Sequence, residues 1–179
     1  MQKMTIKMQR FNSEVQDLTD FLTNNEWQFF ANPIVNPTEI KEKVANGYYE
    51  NGRETFWILV DHEKVGLVTI DDIDDSIPLF DLRLTPKARG KGTGTQTLRW
   101  LQNYLFGEKG KIRIEAYTRA DNVPMRKCFS KSGFVKEGYL RKAWENEDGT
   151  VVDSVLYAAI YDDWKTGKIT PVQLDEVPY

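Results

Sequence analysis

The sequence predicts an α/β fold in which a mixed, mostly antiparallel central sheet is flanked by helices. Three observations carry that expectation. Strand-like and helix-like runs follow one another as a strand, two helices, three strands, a helix, a strand, a helix and two strands. A glycine-rich turn, Arg89-Gly90-Lys91-Gly92-Thr93-Gly94-Thr95, separates a strand-like run from an amphipathic helix. With 179 residues, 40% of them hydrophobic, the chain suits one domain with a sizeable core, and no repeat or linker divides it. The expected domain is 1–179, with an irregular tail from about 165.

The elements follow from local pattern. Met4, Ile6 and Met8 alternate with Thr5, Lys7 and Gln9, as in a half-buried strand. Ser13 is placed to cap a helix running to about Asn24, with Val15, Leu18, Phe21 and Leu22 as its apolar face. Trp27, Phe29, Phe30 and Pro33 lie in an irregular aromatic segment. Asn36-Pro37-Thr38-Glu39 starts a second helix, with a cap, a proline at the first position and an acid in the first turn; Gly47 ends it. Thr55–Val60 and Val65–Ile70 form a hairpin across Asp61-His62-Glu63-Lys64, and the acidic run Asp71–Ser76 is a loop.

Leu79-Phe80-Asp81-Leu82-Arg83-Leu84 is the strand that enters the glycine-rich turn, and Leu98, Leu101 and Leu105 space the helix that leaves it. Ile112–Tyr117 alternates as a strand. Asn122–Lys131 is a short helix stopped at Gly133, and Phe134–Trp144 and Val151–Tyr161 are the last strands. Pro171 and Pro178 argue against regular structure in the tail.

Composition excludes several functions. A net charge of -3 argues against a nucleic-acid binder. One cysteine excludes an internal disulfide, and one histidine beside it leaves little for a soft metal. No apolar signal core follows Met1 and no run reaches membrane-spanning length, which predicts a cytoplasmic protein without membrane contact.

The chemistry is concentrated at Arg89–Thr95. A glycine turn feeding a helix start gathers backbone N–H groups and the positive end of the helix dipole, and Arg89 and Lys91 add charge: a phosphate cradle. A Walker loop needs a Gly-Lys pair four residues after a glycine, which is missing. A dinucleotide fingerprint from Gly90 would need glycine where Thr95 stands.

On these residues the chain resembles the GNAT superfamily of N-acetyltransferases, whose pyrophosphate motif, Arg/Gln-x-x-Gly-x-Gly/Ala, matches Arg89–Gly94. Asn122 to Phe134 is similar to the family's short helix ending in Gly-Phe. Glu137-Gly138-Tyr139-Leu140-Arg141, with Gly149, Asp153 and Tyr157, resembles the branch acting on ribosomal-protein N-termini. The resemblance implies direct transfer of an acetyl group from acetyl-CoA, without a metal, to an amine of a small molecule or protein N-terminus. It also implies a splayed strand pair at the cofactor site.

By the same resemblance the CoA diphosphate lies on N–H groups of Gly90, Lys91, Gly92, Thr93, Gly94 and Thr95. The pantetheine arm pairs with backbone near Leu82 and Leu84, Asn122 contacts the cofactor, and Lys131 is a further phosphate contact. Phe129 stands where many relatives carry a tyrosine acid, and phenylalanine has no proton to give. Glu115 is the candidate base and Asp81 its rival, with Tyr117 on the face of Glu115. Two alternatives stay open: an aminoglycoside or polyamine acceptor, and a catalytically silent acyl-CoA-binding module. A homodimer is compatible with the pattern, and no residue specifies one.

Overall fold

A computed structural model describes residues 5–176. Met4, in the expected first strand, and Pro178 lie outside the described residues. The described elements are β1 (Ile6–Arg10), α1 (Val15–Thr23), α2 (Pro37–Ala45), β2 (Arg53–Val60), β3 (Glu63–Asp71), β4 (Leu79–Leu84), α3 (Thr93–Gln102), β5 (Arg113–Arg119), α4 (Val123–Lys131), β6 (Val135–Glu145), β7 (Val151–Ile160) and α5 (Tyr161–Thr166). The seven strands form one sheet in the order β1-β2-β3-β4-β5-β7-β6. Every pairing is antiparallel except β4 with β5.

Period-two alternation assigns the two faces. Val68, Ile70, Ile114, Ala116, Val155 and Tyr157 point to one side and pack against Leu98 and Leu101 of α3 and Phe129 of α4. Leu98, Leu101 and Leu105 are fully buried, as their helical spacing requires. Trp57, Leu59 and Leu67 face the other way, against Leu18, Phe21 and Leu22 of α1 and Ile40 and Val44 of α2. Trp27 is fully buried in this second core, its indole N–H donating to the Leu22 carbonyl at 2.8 Å.

Local chemistry corrects several expectations. Ser13 does not cap α1: its φ is +57°, its hydroxyl donates to Glu50 Oε2 at 3.0 Å, and the cap position is Glu14. Asn36 does cap α2, accepting from the Thr38 N–H at 2.8 Å. The β2–β3 turn is only Asp61-His62, both with positive φ, as a tight two-residue hairpin demands. Ile112 precedes β5 and is exposed.

Tyr161 is not a strand residue. It opens α5, which ends at Gly167 in the left-handed conformation. Burial of its ring beside Phe106 and Trp164 outweighs strand propensity there. A 3₁₀ turn, Leu174–Glu176, lies within the tail despite Pro171. A π-helical turn, Asn103–Glu108, extends α3.

That turn is tied to the sheet by Glu54. Its carboxylate accepts from Arg10 at 3.2 Å and Lys109 at 2.8 Å, and also from the Tyr104 hydroxyl. Burial raises its pKa, but the bonds from Lys109 and Tyr104 and the charge of Arg10 outweigh burial and hold it below the usual carboxylate range. A depressed folded-state pKa adds stability that is present above the unfolded pKa and lost as pH falls through the folded one. Glu54→Gln should therefore cost about 1.5–3 kcal/mol at pH 7, the range for hydrogen bonds to charged groups. Urea titrations should show the two proteins converging as the pH falls below the depressed pKa of Glu54; an equal gap at all pH values would refute an ionic origin.

Candidate active site

The sheet opens where β4 meets β5. Leu79 pairs with Glu115, the Glu115 N–H donating to the Pro78 carbonyl at 3.1 Å, and the register continues no further. On the opposite edge, β4 keeps its full ladder with β3, from Asp71–Leu79 to Gly66–Leu84. Pro78 directs its carbonyl toward β5 and Thr85 its N–H toward β3. By strand alternation the backbone groups of Phe80, Leu82 and Leu84 therefore face the gap. The strand is half-buried, and apart from the Leu84 carbonyl, which accepts from Arg89, these edge groups are placed to pair with a ligand.

The glycine-rich turn lies at the far end of that edge. Gly90 has φ +73° and Gly92 φ +86°, and Gly92 is the cap of α3, in the left-handed conformation and with no side-chain cap bond. A Cβ added at Gly90 or Gly92 meets no protein atom within 4 Å, so these glycines serve backbone conformation and leave the space in front of the helix start free. Gly94 is different: a Cβ there would come within 3.2 Å of Cys128 Sγ, so it serves the close approach of α3 to α4. Thr93 is fully buried and its Oγ1 has no partner among the described residues. The first N–H groups of α3 have no acceptor within the helix. This open, donor-rich concavity fits the diphosphate of a CoA ester.

The side chains expected around the cradle divide. Lys91 is exposed, whereas Arg89 turns back, donating to the Leu84 carbonyl at 2.9 Å and the Glu26 carbonyl at 3.1 Å. It thus links the cradle to the segment after α1. Thr95 is half-buried in the first turn of α3. Asn122 caps α4, accepting from the Met125 N–H at 3.2 Å, and donates to Thr118 Oγ1 at 3.1 Å. Lys131 is exposed in the last turn of α4.

Across the gap, on the face of α1 and α2, Asp81 and Arg83 of β4 stand beside Arg113, Glu115, Tyr117 and Arg119 of β5. Glu115 accepts from Arg113 at 2.7 Å and from the Tyr117 hydroxyl at 3.4 Å, and Arg113 also donates to both oxygens of Glu137. Glu115 is therefore part of an ion-paired chain. Asp81 has one side-chain bond, from Arg83 Nε at 3.3 Å, and keeps 39% of its side chain exposed. Burial pushes its carboxyl above the ordinary range despite the pull of Arg83, as happens in a recess that solvent reaches but protein surrounds. The neighbouring Tyr49 hydroxyl is pushed up to about 12, mainly by burial.

Two of these groups escaped sequence reasoning. Arg83 sits between two leucines of a central strand, and its guanidinium lies 4.0 Å from the Phe30 ring centre and 5.3 Å from that of Trp27. A charge at an inward strand position was the available signal. Tyr49 belongs to the turn after α2 and carried none. Phe129 is buried, stacked on Tyr157 at 4.8 Å. His62 is exposed in its hairpin turn, and Cys128 is half-buried. A groove of about 470 Å³ runs between the α1–α2 segment and the β6–β7 turn, lined by Phe30, Arg119, Asn146 and Asp148 among others.

Comparison with known proteins gives the family and agrees with the fold. The family model "Acetyltransferase (GNAT) domain" matches residues 6–135. No curated protein sequence matches the chain. Among solved structures, the chain is similar to spermidine N-acetyltransferase from Vibrio cholerae in complex with CoA and spermine, with 17% identity and a TM-score of 0.78 over 89% of this chain and 98% of that one. It is also similar to RimL, a ribosomal L7/L12 alpha-N-protein acetyltransferase in complex with coenzyme A, with 20% identity and a TM-score of 0.77 over 88% and 95%. The chain belongs to the GNAT family of N-acetyltransferases. Among the described residues no helix is long and apolar enough to cross a membrane.

The two kinds of glycine in the cradle separate experimentally. Gly92→Ala forces a left-handed alanine, a strain of about 1–2 kcal/mol. Relief of that strain distorts the cradle, so the Kd for CoA should rise about tenfold or more. Gly94→Ala crowds Cys128 and should mainly lower the melting temperature. Calorimetric titration of both variants checks this; CoA affinity unchanged in folded Gly92→Ala would remove the cradle from the binding site.

Proposed function

We propose that this member of the GNAT family transfers an acetyl group from acetyl-CoA directly to a primary amine, with the reaction centred in the gap between β4 and β5. The observation that carries the reading is the parting of these strands beside an open helix start, so that one continuous backbone surface runs from the cradle to Leu79. Gly90 to Thr95 would hold the diphosphate, with Lys91 as added charge. Leu82 and the Leu84 N–H would pair with the pantetheine arm, and Asn122 and Lys131 would flank it. Acetyl-CoA supplies the acetyl group already activated as a thioester.

The chain's own chemistry concerns the acceptor proton. The amine must be neutral to attack, and a carboxylate whose pKa is raised toward the working pH is the better base. Asp81 has that property and an accessible oxygen, whereas the Glu115 oxygens are engaged by Arg113 and Tyr117. Both remain on the acceptor side of the gap, and the geometry favours Asp81 as base with Glu115 as part of the charged wall. The amine nitrogen bonds to the acetyl carbon as the carbon–sulfur bond breaks. The sulfur takes its proton from solvent, since Phe129 has none to give. A polyamine is the second reading of the acceptor, suggested by the likeness to a spermidine N-acetyltransferase, with Asp81 as the carboxylate that could meet an ammonium.

Release of free thiol from acetyl-CoA with a panel of amines tests the function. Asp81→Asn should lower kcat/KM by about 10²–10⁴-fold with CoA affinity retained, and Glu115→Gln by far less. A folded-state pKa raised above the unfolded one contributes stability below the unfolded pKa that is lost as pH rises through the folded pKa. Ionised Asp81 is thus a net cost at neutral pH, and Asp81→Asn should be no less stable than wild type at pH 7. The reverse ranking of the two variants would return the base to Glu115.

Phe129→Tyr adds a hydroxyl to a packed aromatic cluster, so it should lower stability without raising turnover. Wild type inert with every amine beside an active Phe129→Tyr would mean a silent acyl-CoA-binding module.

A further inference from the structure

A second cavity, of about 340 Å³, lies where α3 and the end of α4 meet β7, α5 and the chain after it, and it shares no residue with the gap or the cradle. Its volume is at the small end of the range for ligand sites, about 300–1,000 Å³. Gln102 lines it ten residues beyond Gly92, about 15 Å along α3 from the cradle. Its walls are fixed. The Gln102 amide group donates to the carbonyls of Leu98 at 3.2 Å and Ser132 at 2.8 Å, and the Trp164 indole N–H donates to Asn103 Oδ1 at 2.9 Å.

The polar groups of these walls are incompletely used. Gln102 is 6% exposed, and its Oε1 accepts no hydrogen bond from the described residues. Asp163 is 7% exposed, and its carboxylate meets no cation among the described residues: it accepts from the Thr170 N–H at 3.0 Å and from the Thr170 hydroxyl at 2.5 Å. A carboxylate offers about four acceptor sites, so acceptor capacity is left over. Buried aspartates without a charged partner are rare. Arg99 lines the same cavity and uses one N–H, from Nη2 to the Lys131 carbonyl at 3.1 Å. Two opposite charges thus border one cavity without pairing with each other. Ile160, Trp164 and Ile169 supply its apolar wall.

We propose that this cavity is a binding site for a free α-amino acid with an apolar side chain. The ammonium has three N–H donors, which Asp163 and the free Gln102 Oε1 accept. The carboxylate takes the N–H groups that Arg99 has left, and the side chain lies against Ile160, Trp164 and Ile169. A zwitterion answers both charges at once. An inorganic anion, a carboxylic acid or a simple amine answers one and leaves the other, at a cost that grows with burial. A ligand held only by the folded chain also raises its stability.

Calorimetric titration of the full chain with leucine, glycine, leucinamide and 4-methylpentanoate tests the site. It is done without acetyl-CoA, so the outcome does not depend on turnover or on the acetyltransferase reading. Leucine should bind with a Kd of about 1 mM or below and raise the melting temperature. Glycine lacks the side chain, leucinamide the carboxylate and 4-methylpentanoate the ammonium, and each should bind about tenfold more weakly or worse. Arg99→Gln, at an exposed position, should weaken leucine binding about tenfold or more, with CoA affinity retained as the sign of folding. Asp163→Asn should do the same; if it does not fold, Arg99→Gln decides. Asp81→Asn should leave leucine binding unchanged. The site is overturned by no binding of leucine at about 10 mM, by any analogue binding as tightly as leucine, or by equal binding in folded Arg99→Gln. Loss of binding in Asp81→Asn would put the ligand in the gap and overturn it as well.

Discussion

The rest of the structure depends on β4 and β5 failing to pair beyond Leu79 and Glu115. Two parallel strands side by side in a central sheet would ordinarily close their ladder, because each unpaired buried group is costly. Something must hold them apart. On the α3 side, Phe80 packs against Phe129 and Phe134, and Leu84 lies against the close contact of Gly94 with Cys128. On the other side, Arg83 is clamped under Trp27 and Phe30. Both faces thus fix β4 to its own neighbours, and the gap is a consequence of core packing in two layers.

That constraint explains why binding and chemistry sit on opposite sides of one strand. Inward alternation sends Phe80 and Leu82 to the core shared with α3, and sends Asp81 and Arg83 to the face of α1 and α2. The backbone of the strand leaves an unpaired edge toward β5, while its polar side chains lie on the face of α1 and α2. The carboxyl of Asp81 is held in a setting that raises its pKa, and the Tyr49 hydroxyl beside it is raised as well. Stability is given up here, whereas at Glu54 an ion-paired carboxylate contributes it. The contrast is what favours Asp81 over an ion-paired carboxylate in the proposed role of base.

Much of this was legible in the sequence because it rests on local rules. Glycine spacing at Gly90, Gly92 and Gly94, the leucine stripe of α3 and the Asn36-Pro37 helix start each follow from near-neighbour geometry, and the element order followed from them. Where the reading failed, a distant partner had won. Ser13 is drawn to Glu50 instead of capping α1, and Tyr161 is drawn into the Phe106–Trp164 cluster instead of extending β7. Arg89 also has partners that its motif does not foretell, the carbonyls of Leu84 and Glu26, the second of which is remote in sequence.

The catalytic assignment shows the same limit in its sharpest form. In the sequence Glu115 was the candidate base and Asp81 its rival, both acidic residues on neighbouring strands. What distinguishes them is the company each keeps across the sheet. Alternation along β5 places Arg113 beside Glu115, two residues on, and the register of β5 against β7 and of β7 against β6 brings Glu137 to the same guanidinium, whereas Asp81 has only Arg83. Register is a property of the whole sheet. The proposed cofactor half of the site is therefore encoded in a short motif, and the proposed acceptor half also draws on the pairing of strands far apart in the chain.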